Sequence, residues 1–208
     1  MIRVLLSGGL DSAVCLAWAM RHQLPITKNY DSDRDFVDAV GFHYGQRHVK
    51  ELEAARKIAS VCGIRYRVAP LAGAVGGSSL TGGDGELSGS DVVVPDRNLR
   101  FLKAAALMRP FPDALVIGAC KDDQEVFEDC RPEFFRKAEQ ITGIQILTPL
   151  VDKTKAEVVE LGHSLGALGL IRLSWSCYAG GDQPCGKCGA CVAREAGLKA
   201  SAPAWVSR

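Results

Sequence analysis

The sequence predicts an α/β fold: a doubly wound, mostly parallel sheet of five strands with a small cysteine-built knuckle at its C-terminal end. Three observations carry this. Short apolar runs alternate with stretches of helical period, which is the signature of βα units packed into a sheet covered on both faces. A glycine-serine turn, Ser7 to Ser12, follows directly on the first apolar run. Four of the eight cysteines crowd into one short segment, at Cys177, Cys185, Cys188 and Cys191.

Taken in order, Ile2 to Leu6 reads as a buried strand, and Ser12 to Met20 is apolar all round, as a buried helix would be. Val37 to Phe42 reads as a second strand. Leu52, Ala55, Ile58, Ala59 and Cys62 mark the inner face of a helix that Gly63 ends, and Ile64 to Val68 follows as a third strand. Leu99, Leu102, Ala105 and Ala106 fit a helix, Ala114 to Gly118 a strand, Phe134, Phe135, Ala138 and Ile141 a helix, and Ile144 to Leu147 the fifth strand. Thr154 and Glu157 form a T-x-x-E capping box for one more helix, running to about Leu165. Gly73 to Ser90 holds seven glycines without periodicity, which predicts a mobile loop or lid. Residues 1–173 are expected to form the main domain and 174–208 a metal-binding knuckle with a helix.

Composition narrows the function. At 208 residues there is room for one substantial domain, and 47% hydrophobic with 24% charged residues is the balance of a packed globular chain. A net charge of +1 gives no reason to expect a long nucleic acid partner. The apolar N-terminus is interrupted by Asp11 with no cleavage signal after it, and no run is long enough for a membrane span, so a cytoplasmic protein is expected. Without an export signal a disulfide framework is a poor account of the cysteines; Cys15 and Cys62, inside apolar helical patterns, read as small core residues.

The cysteine segment is the strongest physical signal. Cys185-x-x-Cys188-x-x-Cys191, with Cys177 eight positions upstream across Gly180, Gly181 and Pro184, can wrap four thiolates round one ion. Zinc prefers such an all-sulfur tetrahedral site, and with every position filled it would be structural, one ion per chain; an iron-sulfur cluster or free thiols are the alternatives.

The S-G-G-L-D-S turn sits between strand and helix, where unpaired backbone N–H groups and the positive end of the helix dipole face one point. Gly8 and Gly9 admit an anion to the backbone, and the hydroxyls of Ser7 and Ser12 add donors, so a phosphate chain fits. The lysine of a G-x-x-x-x-G-K-[ST] loop is missing, as is a full G-x-G-x-x-G fingerprint. His43 and His48 flank Tyr44 to Arg47 after the second strand, at the sheet edge where ligands bind; each is a candidate acid or base or a hydrogen-bonding residue that shapes a pocket. Arg97 and Lys155 can neutralise negative charge that grows in a transition state. Asp123 and Asp129 follow the fourth strand, where a carboxylate can accept two hydrogen bonds from a ligand; Glu125 and Glu128 are expected to face solvent.

On these residues a family resemblance rests. S-G-G-x-D-S at the end of strand one resembles the pyrophosphate loop of the N-type ATP pyrophosphatases. Tyr44 to His48 (YGQRH), Pro95 with Arg97 and Asn98, Asp129 to Arg131 (DCR), Thr148 to Leu150 with Lys155, and the cysteine tail together resemble the 7-cyano-7-deazaguanine synthase family within it, from Val4 to about Gly197. The resemblance implies an adenine nucleotide alpha hydrolase-like fold and ATP, with Mg2+, as substrate. It implies adenylation of the carboxylate of 7-carboxy-7-deazaguanine, release of pyrophosphate, and attack by ammonia giving the amide and then the nitrile, in queuosine biosynthesis. Leu6, Ser7, Gly8, Gly9, Asp11, Ser12 and Tyr44 would bind ATP, and Gln46, Arg97, Asn98, Asp123 and Asp129 the second substrate. Asp11, Arg97, Lys155 and His48 would be catalytic, the cysteines would hold zinc, and the chain would form a homodimer.

Two positions depart from the pattern. The family usually has glycine where this chain has Asp96, and proline where it has Glu128. The added carboxylates are expected within reach of Arg97 and beside Asp129, opening the site to a larger amine. That would suit a second activity implied by relatives in antiviral gene clusters: joining the deazaguanine acyl group to an amine of a partner protein.

Overall fold

The structure, a computed structural model, describes residues 1–22, 36–47, 49–71 and 78–201. Its elements run β1 (Ile2–Leu5), α1 (Leu10–Arg21), β2 (Val37–His43), α2 (Lys50–Val61), β3 (Tyr66–Pro70), α3 (Arg97–Leu107), β4 (Ala114–Val116), α4 (Pro132–Thr142), β5 (Gln145–Leu147), α5 (Lys155–Ser164), α6 (Leu168–Leu173) and α7 (Gly189–Ala200). All five strands pair in parallel, in the order β3-β2-β1-β4-β5. Strand order therefore reverses at β1 and β4, and the crevice at their carboxyl ends is where an open parallel sheet binds its ligands.

Alternation along the strands divides the core in two. Ile2, Val4, Leu6, Ala39 and Val116 face one way and pack with α1, α2, α5 and α6. Leu5, Val40, Phe42, Leu115 and Ile117 face the other and pack with α3 and α4. Helix α1 buries most of its circumference, Leu10, Ala13, Val14, Cys15, Leu16 and Ala19, which is why its sequence shows no polar face. Burial pushes the Cys15 thiol well above its ordinary pKa, so it is an inert core residue, as expected.

One polar residue breaks the core of β1. Arg3 is fully buried, and its five N–H donors are all used: Nε and Nη2 on Asp38 at 2.8 Å, Nη1 on the carbonyls of Ala105 and Met108, and Nη2 on that of Pro110. A buried guanidinium is tolerable only when so completely satisfied. The pair fixes β1 and β2 to the end of α3, below the crevice.

The capping box starts α5 as the sequence predicts: the Thr154 hydroxyl accepts from the Glu157 N–H at 3.4 Å and the Glu157 carboxylate from the Thr154 N–H at 2.8 Å. Helix α7 lies against α5 so closely that a Cβ on Gly197 would come 2.7 Å from Lys155 Cγ.

One expectation is corrected. Ile141 does not face inward but is 54% exposed, while Phe135 and Ala138 carry the inner face of α4. Of the segment expected to be a mobile loop or lid, residues 72–77 lie outside the described residues, and from Ser78 onward it forms short 3-10 turns at Ser79–Thr81 and Gly89–Val92 with a mostly exposed stretch between them. Ser78 and Ser79 are buried and donate to the Asp91 carbonyl, Ser79 also to that of Glu86, and Leu80 packs on Val92 and Val94. The serines supply the hydrogen bonds that a periodic element would otherwise provide, which is why no periodicity marked the segment as ordered.

Candidate active site

The turn after β1 is shaped by crowding. Gly8 has φ +99°, and a Cβ there would lie 1.9 Å from the Glu51 carbonyl oxygen and 2.8 Å from the Ala55 nitrogen. Only glycine lets α2 pack so near. The Trp175 N–H donates to the Gly8 carbonyl at 2.8 Å, which ties the turn to the segment leading into the cysteines. Ser12 Oγ accepts from the Gly8 N–H at 3.2 Å and donates to the Gly9 carbonyl at 3.0 Å, while Ser7 Oγ accepts from the Gly9 N–H at 3.2 Å. Leu6 contributes backbone alone: its side chain is in the core, and its carbonyl accepts from the Tyr66 hydroxyl.

Asp11, in the first turn of α1, faces Lys155 from the first turn of α5. Lys155 Nζ lies 2.8 and 3.0 Å from the two Asp11 oxygens and 3.7 Å from Asp123. The Lys155 N–H donates to Asp122 at 2.7 Å. Burial opposes the ammonium charge, but Asp11 and Asp123 outweigh it and raise the Lys155 pKa well above the ordinary lysine value. Lys155 is therefore a fixed cation at the mouth of the turn. Asp123 also accepts from the N–H and thiol of Cys120, both at 3.2 Å, which holds it at the end of β4. Gly118 completes this corner, since a Cβ there would meet Asp11 and Ser12 backbone at 3.0 Å.

A second cation, Arg97, lines the same chamber as Lys155. Burial works against the charge of Arg97, yet Tyr44, Asp129, Tyr178 and Cys130 together raise its pKa. Its guanidinium lies 5.9 Å from the centre of the Phe127 ring. Asn98 is buried and joins α3 to the Asp129 segment: its N–H donates to the Asp129 carboxylate at 3.2 Å and its side-chain amide to the Asp129 carbonyl at 3.0 Å. Tyr44 packs on Phe101, itself stacked on Phe42 at 4.7 Å.

Asp11, Ser7, Asn98, Arg97 and Gly118 line both of two adjoining chambers. One extends over β2, past Val40, Gly41, Phe42, Tyr44, Glu51 and Phe101. The other extends toward Asp122, Asp123, Phe127, Lys155, Tyr178 and Arg194. Two ligands can thus meet at the turn, beside two cations.

The structure thereby brings together Ser7, Asp11, Ser12, Tyr44, Arg97, Asn98, Asp123 and Lys155 of the residues read from sequence. Asp129 reaches the site through Asn98 and Arg97. Gln46 lines the first chamber, but its amide bridges the Phe42 carbonyl at 2.9 Å and the Tyr44 N–H at 2.8 Å, so it shapes the turn after β2. His43 is exposed, and His48 lies outside the described residues. Glu51, Phe101, Tyr178 and Arg194 were not picked out for this site. Tyr178 had one signal, its place beside Cys177 in the cysteine tail.

Both added carboxylates lie at the surface, Glu128 as expected. Asp96 is exposed, with φ 55°, the one non-glycine residue with positive φ among the described residues. That backbone explains why glycine suits the position. Glu128 has its side chain 88% exposed, 3.8 Å from Arg131.

The four tail cysteines present their sulfurs within 4.8 Å of one another, with Cys177, Cys188 and Cys191 buried. The Cys185 N–H points at Cys177 Sγ (3.3 Å) and the Cys188 N–H at Cys185 Sγ (3.4 Å). N–H groups of Lys187 and Cys188 pull the Cys185 thiol down to about 6, so a thiolate is favoured before any ion arrives. Such a donor set fits a soft or borderline metal ion.

Comparison with known proteins agrees with this architecture. The family model described as "Queuosine biosynthesis protein QueC" matches residues 2–202. The 7-cyano-7-deazaguanine synthase of Laribacter hongkongensis is 36% identical over 94% of this chain and 88% of its own length. That of Chromobacterium violaceum is 37% identical over 94% of this chain and 87% of its own. Among solved structures, NMN synthetase from Francisella tularensis superposes with a TM-score of 0.52 at 18% identity, covering 89% of this chain and 70% of that one, a likeness of fold alone.

Proposed function

Because the chain belongs to the family of the queuosine biosynthesis protein QueC, we propose that it is an ATP-dependent 7-cyano-7-deazaguanine synthase. The observation that carries the reading beyond family membership is that two cations, Lys155 and Arg97, line one chamber together with Ser7 and Asp11 of the turn, and that this turn also borders a second chamber. In this reading the phosphates of ATP lie on the Ser7 to Ser12 turn, with the base over β2 against Tyr44. The deazaguanine acid lies in the second chamber, where Asp123 faces its amidine edge and Arg97 its carboxylate. A carboxylate oxygen attacks the α phosphorus, pyrophosphate leaves, and ammonia displaces AMP to give the amide. The amide oxygen is activated by a second ATP in the same way and leaves as part of AMP, giving the nitrile.

Lys155 would stabilise the charge that grows on the phosphates, Asp11 would orient Lys155, and a Mg2+ brought with ATP would supply further positive charge. Zinc is proposed for the four cysteines, where it would supply folding free energy and hold the segment that carries Trp175 and α7. Ammonia is proposed as the amine, since Asp96 and Glu128, the residues that favoured a protein acceptor, face solvent. No helix among the described residues is long and apolar enough to cross a membrane.

Purified protein incubated with ATP, 7-carboxy-7-deazaguanine and ammonium salt, followed by mass spectrometry, tests the reading. It predicts the nitrile; accumulation of unreacted acid while ATP is intact would reject it.

A further inference from the structure

Arg194 is a half-buried cation with no ion pair among the described residues. From α7 it lines the second chamber, as do Ser7, Asp11 and Lys155. Its guanidinium donates to three neutral oxygens, Ser174 Oγ at 2.6 Å, Ser176 Oγ at 3.4 Å and the Ile171 carbonyl at 2.6 Å. No carboxylate of the described residues pairs with it. Taking a cation out of water without an ion-pair partner is unfavourable, and burial does lower the Arg194 pKa, with Asp11 and Cys191 offsetting only part. An anion in the chamber would restore the missing charge.

Its supports are those of the phosphate turn. Ser174 and Ser176, which hold the guanidinium, flank Trp175, whose N–H holds the Gly8 carbonyl. Cys191 stands one helical turn before Arg194 and Gly197 one turn after it, and Gly197 packs on Lys155. One face of α7 thus joins the cysteine cluster, Arg194 and the site lysine in a row. Cys188 caps the same helix.

We propose that Arg194 binds the phosphates of ATP that leave as pyrophosphate, and that the cysteine cluster aims it there. This rests on the adenylation reading above. A guanidinium suits the role because its planar fork grips two phosphate oxygens at once. AMP, which keeps only the α phosphate, would not reach it.

The test is calorimetric binding of ATP, inorganic pyrophosphate and AMP, each with magnesium, to metal-loaded wild type, Arg194→Gln and Arg194→Lys. Arg194→Gln is expected to weaken ATP and pyrophosphate by about tenfold to a hundredfold, the worth of one charge-assisted contact. AMP should stay within about twofold, and Arg194→Lys should recover part of the loss. Unchanged ATP and pyrophosphate binding would overturn the proposal. So would an equal loss for all three ligands with a lower melting temperature, which marks a purely structural arginine. The binding arm contains no deazaguanine acid. A wild type that discriminates pyrophosphate as expected yet makes no nitrile would therefore reject the proposed function and leave the role of Arg194 in place.

Discussion

Gly8 and Gly82 share a φ of +99° but not a neighbourhood, and substituting each by alanine separates strain from collision. A Cβ at Gly82 meets nothing within 4 Å, whereas at Gly8 it would sit 1.9 Å from the Glu51 carbonyl oxygen. Both alanines carry backbone strain of about 1–3 kcal/mol. Both also gain the same small stabilisation from a stiffer unfolded chain. The difference is the collision, and since the opposing atoms are helix backbone rather than a side-chain tip, α2 must move. Overpacking of that kind costs about 1–3 kcal/mol. For a chain of this size that places the melting temperature of Gly8→Ala roughly 2–12 °C below that of Gly82→Ala. Thermal unfolding of the two variants in parallel reads it directly. ATP binding should fall in Gly8→Ala alone, because α2 and the phosphate turn part company. Equal melting temperatures, or a less stable Gly82→Ala, would refute the claim that the turn is wedged under α2.

Three further outcomes follow from single contacts. Asp38→Asn leaves the Arg3 guanidinium buried without its counter-charge, and denaturant unfolding should show a loss of about 3–5 kcal/mol. Glu157 has a lowered pKa, chiefly from the Thr154 N–H it accepts. Its stabilisation is therefore present above the ordinary value of 4.5 and lost as pH falls through the folded one, so the melting temperatures of wild type and Glu157→Gln should converge in acid and separate toward neutral pH. Cys188→Ser should lower both bound metal and melting temperature; elemental analysis is expected to find one zinc per chain in wild type, and well-folded protein without metal would contradict the assignment.

Local signals in the sequence were sufficient wherever one residue type does one job. The S-G-G-L-D-S turn was legible because glycine and serine at a strand-helix junction have a single use there, and the Thr154–Glu157 box because both partners lie within one turn. The cysteine spacing was legible for the same reason. What the sequence did not show is contact between distant segments. Arg194 looks like one more surface arginine until Ile171, Ser174 and Ser176 close round it. The loop from Ser78 was read as a mobile loop or lid because its hydrogen bonds come from serine hydroxyls on Asp91 and Glu86 rather than from a periodic pattern. Asp96 was read by its charge, when its backbone is what the position constrains.

The central claim is that a carboxylate oxygen attacks the α phosphorus of ATP held on the Ser7 to Ser12 turn. Oxygen-18 in the carboxylate of 7-carboxy-7-deazaguanine tests it most directly, with the label followed into the phosphate products by mass spectrometry or 31P NMR. The account predicts label in AMP, one oxygen from each activation, and none in pyrophosphate. Label in inorganic phosphate, with ADP as the nucleotide product, would mean attack at the γ phosphorus and would contradict it.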